Sequence, residues 1–418
     1  MKILLIGSGG REHAIAAALA KSSKVSKLYC APGNGGIAQI AECVPIKATD
    51  IARMVDFAKE NAIEFVVVAP DDPLALGMVD AMTKAGIPAF GPTAAAAVIE
   101  SSKAFSKGLM EKYHIPTARY RVFDGDVEAA IRYIRAEGAP IVVKCDGLAL
   151  GKGVVVAQTV EEAEHAVRDM MEDGKFGASG AKVVIEACMQ GPEVTVLAFV
   201  DGKTIRPMPS AQDHKRAYTG DKGPNTGGMG AFSPSPRYTK EIEARCMEQI
   251  FRPTVEAMAK EGRPFKGVLY FGLMLTADGP KVIEYNARFG DPEAQAVLSL
   301  LETDLLEIFQ AVVEERLADL EINWRDASAC CVVLASGGYP GAYETGKVIT
   351  GLDKVPEDIT VYHAGTKAQD GKYQTAGGRV LGVTATGADL KQAVARAYEG
   401  VEKIHFADAH YRTDIGKK

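Results

Sequence analysis

The sequence predicts an α/β protein of several domains, and three observations carry that prediction. The chain has 418 residues, of which 47% are hydrophobic, and at roughly 150 residues per domain this length suggests two to four domains. Strand and helix signals alternate through the first hundred residues, as expected of a parallel sheet with crossover helices. Further on, strands outnumber helices, so smaller mixed units follow the first one.

The first unit is predicted from short apolar runs that alternate with helical stretches. We expect strands at 2–7, 27–32 and 64–70 and helices at 12–20, 51–61 and 72–85. A second unit begins near Ser101 with a basic helical stretch over 103–114. Pro116 then forces extended backbone.

The remaining elements fall into three stretches. A small α+β unit has strands at 141–147, 154–157 and 182–188 and a helix at 159–171. Strands then dominate from Glu193 to Asn286 around a helix at 240–260, and a helix at 291–318 follows. The last unit, from about Ala327, has strands at 329–336, 347–352, 360–366 and 378–385 and a helix at 388–403.

Charge and composition exclude several classes of protein. The 48 Lys and Arg against 54 Asp and Glu give a net charge of -6, without a long basic patch for nucleic acid. No run is long enough for a signal-peptide core or a membrane helix. The seven cysteines are odd in number and contain no CxxC pair, so we expect reduced thiols in the core. A cytoplasmic protein without nucleic-acid or membrane partners is expected.

Glycine makes up 43 of the 418 residues, and the excess is concentrated in loops. The first loop, Gly7 to His13, joins a strand to a helix, where backbone N–H groups and the helix dipole can hold a phosphate. Glu12 occupies the place of the third glycine of a dinucleotide fingerprint, which disfavours a nicotinamide cofactor. A tight connection without a ligand is the alternative, although Arg11 favours an anion.

The second loop, Lys144 to Val154, places Lys144 on a strand and Lys152 between Gly151 and Gly153. Backbone donors together with two lysines are suited to a triphosphate, and the spacing differs from that of a P-loop. The alternative is two surface lysines on either side of a hairpin.

The third loop, Gly220 to Pro234, has five glycines in its first eleven residues and follows the polar run 212–216. It is either a disordered insertion or a segment that orders over a ligand, with Lys215 and Arg216 as anion contacts.

The run 282–293 carries Glu284 and Asn286 two positions apart on a strand, so their oxygens face the same side. Mg²⁺ is typically held by one or two such ligands plus phosphate oxygens, and Arg288 is placed to neutralise a carboxylate or phosphate. The alternative is a strand with a polar face.

Taken together, these segments resemble the glycinamide ribonucleotide synthetases, a family of ATP-grasp ligases, along the whole chain. The matching motifs occur in the family's order: IGSGGREHA, APGN, FGPTAAAA, SSKAFSK, APIVVKCDGLALGKGV, QDHKRAYTGDKGPNTGGMGAFSP, LYFGLM, VIEYNARFGDPE, SGGYPGAYETG, VYHAGT and GGRVLGVTA. QDHKR with GPNTGGMGA distinguishes this family from ligases similar to biotin carboxylase.

The resemblance implies an N-terminal α/β domain at 1–101, an ATP-grasp domain at 102–326 with a mobile lid at about 118–191, and a small C-terminal α/β domain at 327–418. It also implies a monomer. The implied reaction joins glycine to phosphoribosylamine through glycyl phosphate, in the second step of purine synthesis, and it uses ATP and Mg²⁺ or Mn²⁺.

The resemblance also implies residue roles. Lys103, Lys144, Lys152 and the flanking Gly151 and Gly153 would contact ATP phosphates, Glu186 and Glu193 the adenosine, and Glu284 and Asn286 the metal; Gly9, Gly10, Arg11 and Asp71 would bind phosphoribosylamine, and Arg288, Asp213 and Lys215 would act at the glycine and the acyl phosphate.

The sequence departs from the family pattern at a few positions. Asp71 stands where the family commonly has glutamate, which would shift a ribose contact, and Ala187 and Pro192 each replace one glutamate of a pair. Ala287 replaces a cysteine, so no thiol chemistry is needed there.

The sequence leaves three other functions open. A different ATP-grasp ligase or carboxylase would use bicarbonate or another amino acid. A dinucleotide-dependent oxidoreductase is disfavoured by Glu12. A nucleotide sensor without turnover would bind ATP and Mg²⁺ only, which the retained lysines and metal-type residues argue against.

Overall fold

The computed structural model describes residues 1–148, 153–172 and 180–417. The strands are β1 (Lys2–Gly7), β2 (Lys27–Pro32), β3 (Glu42–Cys43), β4 (Phe65–Val68), β5 (Ala89–Phe90), β6 (Tyr120–Asp124), β7 (Ile141–Cys145), β8 (Val154–Ala157), β9 (Lys182–Ala187), β10 (Glu193–Asp201), β11 (Ile205–Pro207), β12 (Gln212–Asp213), β13 (Arg216–Tyr218), β14 (Lys222–Asn225), β15 (Gly230–Ser233), β16 (Lys266–Thr276), β17 (Gly279–Asn286), β18 (Ser328–Ala335), β19 (Val348–Ile349), β20 (Thr360–His363), β21 (Thr366–Gln369), β22 (Lys372–Thr375) and β23 (Arg379–Gly387). The helices are α1 (Gly10–Leu19), α2 (Ile51–Glu60), α3 (Asp71–Ala75), α4 (Met78–Lys84), α5 (Ala94–Ser101), α6 (Lys103–Lys112), α7 (Val127–Glu137), α8 (Val160–Met171), α9 (Lys240–Cys246), α10 (Arg252–Lys260), α11 (Glu293–Val297), α12 (Leu305–Val313) and α13 (Leu390–Val401).

The N-terminal strands form a parallel sheet in the order β3-β2-β1-β4-β5. The central strand β1 is buried on both faces, since Ile3 and Leu5 pack into one hydrophobic cluster and Leu4 and Ile6 into another. A parallel sheet covered on both faces explains why this strand is continuously apolar. The alternating pattern of the first hundred residues therefore predicted the parallel sheet correctly.

Two antiparallel sheets follow in the middle of the chain. One has the order β6-β9-β7-β8 and packs its own small core with α7 and α8. The other has the order β11-β10-β16-β17 and continues the core of the N-terminal sheet. The small α+β unit expected after Pro116 is the first of these sheets.

The C-terminal sheet has the order β12-β15-β18-β23-β20. Two of its strands, β12 and β15, come from the middle of the chain, and Phe232 of β15 lies opposite Cys330 of β18. Helix α13 packs on this sheet through Ala393, Val394 and Ala397. The short strands β19, β22 and β21 form a neighbouring sheet.

Several predicted helices are interrupted, each at a residue with a physical reason. The helix expected over 72–85 divides into α3 and α4 because Gly77 adopts a left-handed φ of 88°. The helix over 240–260 contains a π turn at Met247–Phe251 just before Pro253, which has no N–H to donate to the preceding turn. The helix over 291–318 ends early, and Asp304 caps a new helix by accepting from Leu306 N.

The cysteines are placed as the sequence predicted. All seven cysteines are free, and five of them are buried. Among the described residues, no helix is both long and apolar enough to cross a bilayer.

Candidate active site

A cavity of about 1090 Å³ opens where the N-terminal, central and C-terminal sheets meet. Most of the predicted site residues line it: Arg11, Asp71, Lys103, Lys144, Gly153, Glu186, Glu193, Asp213, Lys215, Glu284, Asn286 and Arg288. Gly151 and Lys152 lie outside the described residues. Residues far apart in sequence are thus brought to one concave site, as expected of a small-molecule enzyme.

One side of the cavity, here called the lysine wall, consists of Lys103, Lys107, Lys144 and Glu186. Lys144 Nζ lies 2.9 Å from Glu186 Oε1 and Lys107 Nζ lies 3.0 Å from Glu186 Oε2. The three side chains are at most 5% exposed. Burial lowers the pKa of Lys107 to about 8, although Glu186 acts in the opposite direction. Glu186 therefore neutralises two lysines that would otherwise repel each other.

Backbone carbonyls hold the lysine side chains in place. Lys144 Nζ also donates to Ile283 O at 3.1 Å, and Lys103 Nζ donates to Gly147 O at 2.9 Å. Lys103 begins α6, whose N-cap Ser102 accepts from Phe105 N. Lys103 of α6 thus contacts the loop that follows Lys144, and both residues line the cavity.

The opposite side, here called the hairpin wall, is formed by residues 213–227. Lys215 Nζ lies 2.9 Å from Glu193 Oε2. Burial raises the pKa of Asp213 to about 7, and the carboxylates of Glu293 and Glu193 act in the same direction, against the opposing effect of Lys215. Asp213 therefore changes its charge near neutral pH, which is suited to proton transfer.

Tyr270 connects this wall to a second carboxylate. Its hydroxyl donates to Glu293 Oε1 at 3.0 Å and lies 3.0 Å from Thr195 Oγ1. Burial and the charge of Glu293 both raise the pKa of Tyr270 well above its ordinary value. The phenol is thus neutral and orients Glu293.

Glu284 and Asn286 lie on one face of β17, as their spacing predicted. Burial opposes ionisation of Glu284, but Lys215 and Lys144 outweigh it, and its pKa is lowered. Among the described residues, no three His, Cys, Asp or Glu side chains gather around one point. Two protein oxygens therefore fit a Mg²⁺ ion whose other ligands are water and phosphate.

Arg288 is held between backbone and carboxylate. Its Nη2 lies 2.9 Å from Glu100 Oε1, and Glu100 Oε2 accepts from Ala287 N at 2.7 Å. Glu100 is buried, which raises its pKa despite the nearby guanidinium. Alanine at position 287, where the family pattern has cysteine, is tolerated because only the backbone N–H of this residue takes part in the contact with Glu100.

The loop before α1 differs from the expected phosphate cradle. Glu12 turns back, so that its Oε2 accepts from Gly9 N at 2.5 Å and its Oε1 lies 2.6 Å from Arg11 Nε. A Cβ on Gly7 would lie 2.3 Å from Glu12 Cγ, and one on Gly10 would lie 2.5 Å from Gln295 Nε2. The φ of 130° at Gly7 requires glycine there, whereas a side chain at Gly10 would have to displace the amide of Gln295. Glu12 occupies one N–H group that the sequence assigned to an anion.

The third glycine-rich loop forms the hairpin of β13 and β14 rather than a disordered insertion, and the C-terminal part of the chain holds it. Gly227 N donates to Tyr339 Oη at 3.0 Å, and Arg379 Nη1 donates to Gly227 O at 2.7 Å. These supporting side chains lie more than one hundred residues away in sequence, so no local sequence signal indicates them. That the loop orders over a ligand stays a prediction.

Some lining residues were not identified from the sequence. Lys107 follows Lys103 by four positions, so one helical face carries both, and this spacing was the available signal. Glu293 and Arg379 stand inside motifs that were recognised, but their roles depend on contacts with Tyr270 and Asp291.

Comparison with known families gives a match along nearly the whole chain. The three domains of phosphoribosylglycinamide synthetase match in order: the N domain at 1–100, the ATP-grasp (A) domain at 101–294 and the C domain at 329–418. The chain belongs to the phosphoribosylglycinamide synthetase family. ATP-grasp domains bind ATP together with a divalent cation, so the family accounts for a site with both lysines and metal-type oxygens.

Relatives in this family are similar over their full length. A phosphoribosylamine–glycine ligase of Brucella melitensis is 51% identical over 418 residues, covering 100% of this chain and 97% of that protein. One of Caldanaerobacter subterraneus is 48% identical, covering 99% of each. The crystal structure of the Thermotoga maritima phosphoribosylamine–glycine ligase superimposes with a TM-score of 0.85 at 34% identity, over 99% of this chain and 100% of that one.

More distant structures share the fold alone. The biotin carboxylase domain of Hydrogenobacter thermophilus 2-oxoglutarate carboxylase, solved with magnesium ADP and bicarbonate, has a TM-score of 0.76 at 16% identity, over 98% of this chain and 91% of that one. The expected architecture of N-terminal parallel sheet, ATP-grasp domain and C-terminal domain is confirmed.

Proposed function

We propose that this chain is an ATP-dependent ligase that joins glycine to 5-phosphoribosylamine, giving glycinamide ribonucleotide, ADP and phosphate in purine biosynthesis. The observation that carries the proposal is the full-length membership of the phosphoribosylglycinamide synthetase family. A cavity lined by both ammonium groups and carboxylates suits a reaction that combines phosphate transfer with amide formation.

The first step activates glycine. Its carboxylate oxygen attacks the γ-phosphorus of ATP, so that glycyl phosphate forms and ADP leaves. Lys103, Lys144 and Lys152 bind the phosphates, and Arg288 neutralises the acyl phosphate. Charge that spreads over the phosphoryl oxygens is stabilised by the ammonium groups of Lys103 and Lys144, which line the cavity.

The second step forms the amide. The neutral amine of phosphoribosylamine attacks the acyl carbon, and phosphate leaves. Asp213, with a pKa of about 7, accepts the proton that the amine loses, and Lys215 stabilises the resulting charges. Water has to be kept out because glycyl phosphate would hydrolyse, and the hairpin wall together with a mobile lid at about 118–191 would provide that exclusion.

The other predicted residues complete the site. Gly9, Gly10, Arg11 and Asp71 would bind phosphoribosylamine, and Glu186 and Glu193 would serve the adenosine, with Gly151 and Gly153 beside the phosphates. Glu284 and Asn286 would hold Mg²⁺ or Mn²⁺, and the bound cation neutralises phosphate charge. The domain boundaries at 101 and 326, a monomeric state, a cytoplasmic location and the absence of nucleic-acid or membrane partners belong to the same proposal.

The test is an assay of ADP release and glycinamide ribonucleotide formation with ATP, glycine and freshly generated phosphoribosylamine, each omitted in turn. We expect product only in the complete mixture. ADP release that depends on bicarbonate instead of glycine would overturn the proposal in favour of a carboxylase. Binding of ATP without any turnover would overturn it in favour of a sensor.

A further inference from the structure

The buried side chain of Arg412 anchors the hairpin of β13 and β14 to the C-terminal segment. Arg412 is 0% exposed, and its Nη2 lies 2.8 Å from Asp221 Oδ1 in the hairpin turn. Its Nη1 donates to Arg216 O at 3.1 Å. The same guanidinium binds Asp414 through two hydrogen bonds of 2.8 and 2.7 Å. One guanidinium therefore connects the C-terminal segment to the first strand and the turn of the hairpin.

Neighbouring residues of the C-terminal segment also contact the hairpin. Gly220 N donates to Asp414 Oδ2 at 3.0 Å, and Thr413 N donates to Thr219 Oγ1 at 3.2 Å. The ring of His410 lies 2.7 Å from Ala217 O through its Nε2. The segment 410–414 thus contacts the whole turn side of the hairpin.

The hairpin also forms part of the cavity lining. Arg216, Asp221 and Asn225 line it, and Thr226 N donates to Lys215 O at 2.8 Å. Neither Arg412 nor Asp414 is among the residues that line the cavity. A shift of the hairpin would therefore move Lys215 directly, and a displacement of about 1 Å can cost roughly 100-fold in rate.

We infer that Arg412 is a positioning residue for the ligase reaction, which holds the hairpin at the place where Lys215 reaches the substrates. This inference rests on the proposed function for its kinetic consequences. Its structural part, that Arg412 fixes residues 216–225, is independent of the reaction.

The experiment compares Arg412→Met with Arg396→Met. Arg396 also pairs with carboxylates in the C-terminal unit, Asp358 and Glu399, but these contacts lie outside the cavity. In Arg412→Met we expect kcat/KM for glycine or phosphoribosylamine to fall about 10- to 100-fold. The affinity for ATP should change less, because Lys103 and Lys144 have supports of their own and only Glu193 pairs with Lys215. Hydrogen–deuterium exchange should accelerate in 216–225, while Arg396→Met leaves both readouts at wild-type values.

Two further variants keep the test decisive if Arg412→Met fails to fold. Asp221→Ala removes one hairpin partner of Arg412 at a half-exposed position and should give the same changes at smaller size, whereas Arg412→Lys should restore part of the protection. Wild-type kcat/KM values and wild-type exchange in folded Asp221→Ala would overturn the inference. An inactive wild type would overturn the proposed function alone, since the exchange measurement still decides whether Arg412 holds the hairpin.

Discussion

The lysine wall and the hairpin wall face the same cavity but are supported from different parts of the chain. In the lysine wall, Lys107, Lys144 and Glu186 neutralise one another while almost fully buried. In the hairpin wall, Lys215 is partly exposed, as is its partner Glu193, and the backbone is held from residues nearly two hundred positions away. The difference teaches that one wall is assembled from the central part of the chain, with partners up to 139 positions apart, whereas the other also requires the C-terminal segment.

This difference affects how each wall meets its ligand. A phosphate that binds Lys144 has to compete with Glu186, whose carboxylate already satisfies the ammonium group. On the hairpin wall, burial is the main cause of the raised pKa of Asp213, and the charges of Glu293 and Glu193 add to it. Binding is thus a replacement of partners on one side, whereas on the other side a cationic group of the substrate would favour the ionised form of a buried carboxyl.

The largest effect is expected from Lys144→Met. Loss of a charged donor to the transferred phosphoryl group should lower kcat about 1000-fold. In this variant Glu186 retains only Lys107 as its partner. Steady-state kinetics with saturating glycine measure this. Lys182→Met is the matched control because Lys182 lies in the same sheet and pairs with Asp124 at the surface. Activity of Lys144→Met within tenfold of the control would remove the phosphate role.

A smaller loss, about 100-fold at pH 8, is expected from Asp213→Asn. With a pKa of about 7, the carboxyl is ionised above neutrality and accepts a proton, and below neutrality it is protonated and cannot. The wild-type rate should therefore fall about tenfold per pH unit below 7. Asp213→Asn should lack this dependence. The same acid limb in the variant would assign the proton transfer to another group.

Glu284→Gln should weaken metal use without removing it. The amide keeps an oxygen ligand but loses the charge, so the Mg²⁺ concentration at half-maximal activity should rise at least about tenfold. Titration with Mg²⁺ at fixed ATP measures the shift. Lys281→Gln, on the same strand and paired with Asp278 at the surface, serves as the control and should titrate as the wild type does. An unchanged Mg²⁺ requirement in Glu284→Gln would exclude the carboxylate as a ligand.

The smallest effect concerns stability at the contact between helix α1 and strand β20 of the C-terminal sheet. His13 Nδ1 accepts from His363 N at 2.7 Å, and burial lowers the pKa of each ring to about 4. Unfolded histidine titrates near 6.5, so the folded state favours neutral rings. This stability is fully present above pH 6.5 and is lost as the pH falls towards 4, by on the order of 3 kcal/mol per ring.

The variant His13→Asn keeps an acceptor near Nδ1 and removes one titrating group. Urea unfolding at pH 7 and 4.5 should show a smaller acid loss in His13→Asn than in the wild type. His165→Asn, at an exposed position, should behave as the wild type does. Equal acid losses in all three proteins would show that the buried rings do not govern this range.

Much of the fold followed from local pattern. The apolar run of β1 and the alternation after it predicted the parallel sheet, and the two-residue spacing of Glu284 and Asn286 predicted their shared face. These features depend on neighbours within a few residues. The same reasoning fails at Gly77 and Asp304, where a backbone conformation and a cap interrupt helices of suitable composition.

The site was less predictable where partners are distant. Lys144 was recognised as a cation at the cavity, but its pairing with Glu186 depends on the register of β7 and β9. The sequence assigned Glu186 to the adenosine, which stays a prediction. The support of the hairpin by Arg412 has no local signal, since a single arginine near the end of a chain is usually a surface residue.

The pairing of β15 with β18 has a consequence for synthesis of the protein. The strand at 230–233 leaves the ribosome well before its partner at 328–335, and Arg412 follows later still. At about 5–20 residues per second, the interval between Ser233 and Ala335 is roughly 5 to 20 s, and that between Ser233 and Ile415 is roughly 10 to 40 s. During the first of these intervals β15 has an unpaired edge on the nascent chain, and during the second the hairpin lacks Arg412. A ribosome that stops within the first interval therefore releases a product with an open sheet edge and an incomplete hairpin wall, which protein quality control would recognise.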